Sequence, residues 1–138
     1  LLIKTKFDYI IHAAGIPTPS EYKIRPIETL DVSYFGTRYL VDLAKKMNSK
    51  FIFFSSSEIY GNPDGKHIPT PESYRGYVAT TGGRSCYDEG KRIGETLSFP
   101  FYEHHGVHTN CIRPFNVYGP GMPQGDYRVL PNFALNLL

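Results

Sequence analysis

The chain has 138 residues, enough for one ordinary domain with one hydrophobic core. Its 41% hydrophobic and 20% charged content is that of a globular protein, and its formal charge of +2 is spread over scattered basic residues. That balance speaks against nucleic acid or anionic membrane as a partner, since both need clustered positive charge. No apolar run approaches the roughly 20 residues of a membrane-spanning helix.

Asp8 to Ala14 (DYIIHAA) is a short apolar run ending in small residues and Gly15, the pattern of a buried parallel strand whose carboxyl end a ligand approaches. Pro17 and Pro19 then predict an irregular loop. A helix of about 20 residues follows, with Pro26 and Glu28 near its start, Lys45 and Lys46 at its close and Asn48 as its stop. Leu30, Tyr34, Val41 and Ala44 are expected on one apolar face of it. Lys50 to Ser55 (KFIFFS) reads as a second buried strand, followed by Ser56, Ser57 and Glu58. Gly61 to Ser85 shows no periodicity, and a loop that long inside a compact domain is usually functional. Tyr87 to His105 reads as a helix stopped by Gly106, and Pro100 is expected to kink or break it. A third strand, His108 to Arg113, runs into Pro114-Phe115-Asn116-Val117-Tyr118-Gly119-Pro120, and a last helix starts near Val129.

Strands alternating with helices predict an α/β fold with right-handed crossovers and a doubly wound parallel sheet. Ligands bind such sheets at the carboxyl ends of the strands. Three predicted strand ends deliver polar, glycine-flanked residues to that edge: Gly15, then Ser56 to Glu58, then Asn116 to Gly119. Cys86 and Cys111 are too few for a disulfide framework or a zinc site, so no metal is expected and a reduced, cytoplasmic setting fits best. His104, His105 and His108 lack carboxylate or cysteine partners at ligating spacing. Arg113 has two open readings, a structural ion pair or a substrate contact. The opening Leu1 to Phe7 holds two lysines and does not resemble a signal peptide.

Tyr87 and Lys91 are four apart on a predicted helix and so share one face. A phenol with a pKa near 10 is a poor base at neutral pH. A neighbouring ammonium, together with the positive ring of an oxidised nicotinamide, favours the phenolate. The tyrosine then suits general-base removal of a hydroxyl proton.

Taken together, His12-Ala13-Ala14 with Pro17-Thr18-Pro19, Ser57-Glu58-Ile59-Tyr60-Gly61, and Arg84-Ser85-Cys86-Tyr87-Asp88-Glu89-Gly90-Lys91-Arg92 carry a family likeness. Asp126-Tyr127-Arg128-Val129 adds a weaker match. The chain resembles the extended short-chain dehydrogenase/reductase superfamily, the NAD-dependent epimerases and dehydratases of nucleotide sugars. Its closest likeness there is to the UDP-glucuronate decarboxylases, or UDP-xylose synthases. The resemblance implies a Rossmann-like domain that binds NAD. Tyr87 would be the base, Lys91 its electrostatic partner on the nicotinamide ribose, and Ser56 the hydroxyl bonded to the reacting sugar oxygen. Glu58 would sit near the sugar ring. Ala13, Ala14, Gly15, Ser55, Pro114 and Phe115 would line the cofactor. Ser57 would meet the substrate, Asn116 the sugar or its diphosphate, and Arg128 the nucleotide side. A UDP-sugar substrate and a homodimer built through the helices holding Tyr34 and Tyr87 are implied as well.

Sugar 4,6-dehydratases carry Asp-Glu where this chain has Ser57-Glu58. Dehydration needs an acid for the departing hydroxyl, so Ser57 disfavours it. Decarboxylation needs no such acid. A 4-epimerase stays open, as does a relative that binds NAD without turnover.

The chain departs from the family in several places. No glycine-rich phosphate loop is present. Gly119, Gly121 and Gly125 come closest, but Pro120 and Pro123 interrupt them and no helix opens there. No acidic residue is placed to grip the adenosine ribose. The expectation is a partial cofactor domain over residues 1–138, from the fourth strand onward, without most of the substrate lobe and inactive alone. Ser33 stands where the family usually has Asn, and Gly83 where it commonly has Pro.

Overall fold

Three apolar runs form a parallel sheet in the order β1 (Tyr9–His12), β2 (Lys50–Phe54), β3 (Thr109–Ile112). Ile10 lies beside Phe51 and His12 beside Phe53, while Phe53 in turn lies beside Cys111. The computed structural model describes residues 3, 5–122 and 128–137. Pro123, Gly125, Asp126 and Tyr127 of the sequence reading fall outside the described residues.

The expected α/β order holds, with four differences of detail. The loop after β1 contains a short helix, α1 (Pro19–Tyr22), because Pro19 at its first turn presets a helical φ. The next helix is continuous but not uniform: α2 (Pro26–Asp31), a π-helical turn (Val32–Gly36), then α3 (Thr37–Met47), ended by Asn48 in the left-handed region. Its buried stripe is Thr29, Ser33, Thr37, Val41 and Ala44. Val41 and Ala44 are on the face the sequence predicted, whereas Leu30 and Tyr34 are 36% and 38% exposed. An ordinary α-helix drifts about 40° with each four-residue step, and the wide π turn takes up much of that drift, keeping Thr29, Ser33 and Thr37 in line. His12 sits against this turn, its Nε2 3.3 Å from the Val32 carbonyl.

The third difference is Pro100. The helix α4 (Ser85–His105) runs through it without a break. Ser98 and Phe101 on either side are buried, so tertiary packing outweighs the roughly 3 kcal/mol that an interior proline costs. The fourth is the long loop, which is folded rather than loose. A short bridge joins Gly61 to Tyr77, and the close approach needs glycine: at φ +62 a side chain on Gly61 would meet the Tyr77 carbonyl. Arg113 holds the same loop from below. It grips Glu95 of α4 with two hydrogen bonds of 2.9 and 2.7 Å, and its Nη1 donates to the Tyr60 hydroxyl and the Glu72 carbonyl. That decides between the two readings of Arg113 in favour of the structural ion pair.

The core lies on one face of the sheet, where Ile10, Phe51 and Phe53 meet Val41, Ala44, Phe101 and Val107. Gly94 lets α4 come down on the strand: a Cβ there would lie 2.2 Å from the Phe53 ring. On the opposite face Tyr9, Ile11 and Ile112 remain exposed among the described residues. The last helix, α5 (Val129–Leu137), begins where the sequence predicts. No helix among the described residues is long and apolar enough to cross a membrane.

Candidate active site

The carboxyl ends of β2 and β3 are tied together: Ser55 N–H donates to Ile112 O at 2.8 Å and Ser57 N–H to Pro114 O at 3.0 Å. Beyond β2 the chain turns into a short 3₁₀ helix, Ser57–Tyr60, whose N-cap is Ser56; the Ser56 hydroxyl accepts from the Glu58 amide at 3.2 Å. The N-terminus of α4 faces this turn. Between them opens a cavity of about 470 Å³.

Its wall contains most of the residues expected from the sequence: Ser55, Ser56, Ser57, Glu58, Tyr87, Pro114, Phe115, Asn116 and Arg128. Lys91 is not in that wall. It stands behind it, 6% exposed, donating from Nζ to the Phe54 carbonyl at 2.7 Å. The same Nζ is 5.2 Å from the centre of the Phe53 ring and 5.8 Å from that of Tyr87. A Cβ on Gly15 would lie 3.5 Å from it. Ala13, Ala14 and Gly15 are exposed at the end of β1, on the same sheet edge but outside the cavity wall. Another cavity, about 490 Å³, lies at the opposite edge of the sheet near Asn48 and His108, and holds none of the expected residues.

The sequence reading gave no role to Tyr22, and to Arg84 none beyond membership of a motif. Both line the cavity. Tyr22 is buried and stacks on Tyr87 with ring centres 5.4 Å apart and planes 15° apart, while Cys86 Sγ points to the Tyr22 carbonyl at 3.6 Å. Arg84 donates to Glu58 and lies 3.7 Å from Asp88. The Arg84–Asp88 spacing of four was legible as a helical pair. Tyr22 belongs to α1, for which the sequence predicted only loop.

Burial pushes the Tyr87 phenol above its usual value; a hydrogen bond with Ser56 opposes the shift, the charges of Glu58 and Asp88 add to it, and Arg84 opposes it. Lys91 by itself does not bring it below that value. The reason is desolvation, which disfavours the charged phenolate. Burial likewise pulls the Lys91 ammonium down to about 8.

Lys91 therefore gives a pH signature. Its folded pKa lies below its unfolded one, so between pH 8 and 10.5 the unfolded chain holds a proton that the folded chain has released. Stability from this residue is expected to rise with pH across that window, by at most about 3 kcal/mol. Urea titrations of wild type and Lys91→Met at pH 7.5, 9 and 10 measure it. A stability difference between the two that does not change with pH would show that Lys91 is not desolvated.

Ser33, the residue that departs from the family pattern, is buried against α4, where a Cβ on Gly90 would come within 2.9 Å of its Oγ. The missing side chain of Gly90 is what lets the two helices approach at that level.

The model of the NAD dependent epimerase/dehydratase family matches residues 1–138. A UDP-glucuronic acid decarboxylase 5 of Arabidopsis thaliana is 43% identical over 131 residues, which is 95% of this chain and 38% of that protein. The structure of a UDP-N-acetylglucosamine 4-epimerase from Methanobrevibacter ruminantium in complex with UDP-N-acetylmuramic acid superposes with a TM-score of 0.79 at 27% identity, over 94% of this chain and 41% of that one. A Pseudomonas aeruginosa structure complexed with NADPH gives a TM-score of 0.73 at 27% identity, over 85% and 38% of the two chains. The chain thus spans less than half the length of each of these relatives. Matched along its whole length and folded as its relatives are, it belongs to the NAD dependent epimerase/dehydratase family.

Proposed function

We propose that this chain carries the reacting centre of an NAD-dependent nucleotide-sugar enzyme, a UDP-glucuronate decarboxylase. The observation that carries the proposal is the single cavity wall shared by Tyr87, Ser56 and Glu58, with Lys91 directly behind it. The likeness to UDP-glucuronic acid decarboxylases agrees with Ser57, whose hydroxyl is no acid for a leaving hydroxyl group.

The sheet edge suits the nicotinamide end of a dinucleotide. Gly15 leaves the space beside Lys91 open, and the Ser55 hydroxyl is buried with no hydrogen-bond partner among the described residues. Ala13, Ala14, Gly15, Ser55, Pro114 and Phe115 would hold that end, with Tyr87 and Lys91 at the ribose. When bound, the cofactor supplies the acceptor and later the donor of hydride that oxidation and re-reduction at one sugar carbon require.

Tyr87 receives the proton of the sugar 4-hydroxyl, and Ser56 orients the same oxygen by hydrogen bonding. Both are held: Tyr87 by its stack on Tyr22, Ser56 by capping the turn that carries Glu58. Lys91, fixed on the Phe54 carbonyl, keeps a positive charge on the far side of Tyr87. A sugar oxidised at C4 and carrying a C6 carboxylate is a β-keto acid, which loses carbon dioxide without further acid. Ser57, Asn116 and Arg128 are in the cavity wall; in this reading Ser57 and Asn116 meet the sugar or its diphosphate and Arg128 the nucleotide. A homodimer is part of the proposal, because Ile27, Leu30, Tyr34 and Phe35, with Ile93 of α4, present exposed apolar side chains on the helices that would meet.

The test is incubation of the full-length protein bearing this chain with UDP-glucuronate and NAD. Carbon dioxide and a UDP-pentose are expected in equal amounts. Epimerisation of a UDP-hexose with UDP-glucuronate untouched would keep the site and overturn the reaction; NAD binding with no turnover of any nucleotide sugar would overturn both.

A further inference from the structure

We propose that Arg84 is a positioning residue: its guanidinium, bonded to Glu58 on one side and facing Asp88 on the other, holds Glu58 against the cavity wall and offsets the two negative charges that flank Tyr87. The inference rests on the reading of Tyr87 as the base.

The three charges come from two elements that meet only in the fold. Glu58 belongs to the turn after β2, and Asp88 to the first turn of α4, which Arg84 precedes. Arg84 Nη2 donates to Glu58 Oε2, and its Nε lies 3.7 Å from Asp88 Oδ2. The Asp88 side chain is only 14% exposed, and its Oδ1 is buried without a hydrogen-bond partner among the described residues. A carboxylate in that position is costly without a cation beside it. Burial does hold the Asp88 carboxyl above its ordinary range, and Arg84 opposes that shift.

The arrangement is not explained by stability. The side chains of Arg84 and Glu58 are 53% and 36% exposed, and pairs of that kind contribute about 0–1 kcal/mol. What the pair changes is the field at Tyr87. The charged and titratable groups facing Tyr87 are Glu58 from the β2 turn, Arg84, Asp88 and Lys91 around α4, and Tyr22 of α1 on its ring. Glu58 and Asp88 disfavour the phenolate and Arg84 favours it. Take away Arg84 and the two like charges act on the base with only Lys91 against them, while Glu58 loses the contact that fixes its carboxylate. A base that ionises only at higher pH is a weaker base at neutral pH.

The experiment uses the full-length protein with tyrosine labelled by ¹³C at Cζ, so that each phenol titrates by NMR; the Tyr87 signal is the one missing from Tyr87→Phe. Arg84→Gln is expected to raise the Tyr87 midpoint by about one unit. Arg84→Lys, which keeps the charge, should leave it near wild type, and adding Asp88→Asn to Arg84→Gln should recover part of the shift. In turnover, the acid limb of kcat should move by the same amount, about tenfold less rate at pH 7, with KM changing less than kcat. An unmoved Tyr87 midpoint in folded Arg84→Gln, or an equal shift in Arg84→Lys, overturns the proposal. Should Arg84→Gln fail to fold, Asp88→Asn alone decides, since it must lower the midpoint. The titration needs no turnover, so absence of decarboxylation would overturn the functional reading without touching this result.

Discussion

Replacing Tyr87 by phenylalanine is expected to lower kcat for carbon dioxide release by about 10²–10⁴-fold, the usual worth of a positioned general base. The substitution removes one oxygen and leaves the ring. Most of what holds residue 87 in place is carried by that ring, through the 5.4 Å stack on Tyr22. The hydrogen bond with Ser56 is lost, but Ser56 keeps its backbone contact with Glu58 at 3.2 Å. Melting temperature and NAD affinity should therefore change little while turnover collapses. Steady-state kinetics beside a cofactor titration separate the two. A variant that keeps more than about a tenth of wild-type kcat would mean that another group takes the proton.

Truncating Phe53 to alanine is expected to destabilise the fold by about 3–5 kcal/mol, the cost of emptying a fully buried aromatic site. Phe53 is 0% exposed on β2, the middle strand, tilted against His12 at 5.6 Å and under the Lys91 ammonium at 5.2 Å. Gly94 of α4 sits against the tip of the same ring. Gly94→Ala is expected to cost about 1–3 kcal/mol by overpacking, even though alanine is the better helix former by about 1 kcal/mol. The two sites are coupled. In the Phe53→Ala background the methyl added at Gly94 enters the space left by the ring, so the second substitution should become neutral or stabilising. Urea titrations of the two single variants and the double variant, treated as a cycle, give the coupling energy. Additive losses would show that α4 and β2 do not meet as described. Since Lys91 rests on the same ring, Phe53→Ala should also impair turnover in whatever fraction stays folded.

These experiments bear on residues of differing legibility. The strands were readable because a parallel strand buried on its core face leaves a short apolar run bounded by small and turn residues, and DYIIHAA and KFIFFS are such runs. Helix ends were readable from local chemistry, Pro26 at one end and Asn48 at the other. So was the pair Tyr87 and Lys91, whose spacing of four places both on one side of any helix. The family likeness then gave roles to Ser56, Glu58 and their neighbours, and the fold brings those residues to one cavity wall.

Sequence by itself determined the alternation of strands and helices, the sheet edge that gathers polar residues and the identity of the family, because all three depend on local pattern. Only the tertiary structure decided what depends on distance between elements. The π turn that carries Ser33 into the core and leaves Tyr34 outside answers to His12 and the sheet, not to helix periodicity. Pro100 stays helical because its neighbours are buried. Arg113 turns out to be a strut because Glu95, Tyr60 and Glu72 converge on it from three segments. Tyr22 and Arg84 join the site because α1 and the start of α4 fold over the turn after β2. The direction of the Tyr87 shift was set there too: a lysine four residues away does not by itself acidify the phenol, because burial, with the charges of Glu58 and Asp88 adding to it, makes the phenolate harder to form.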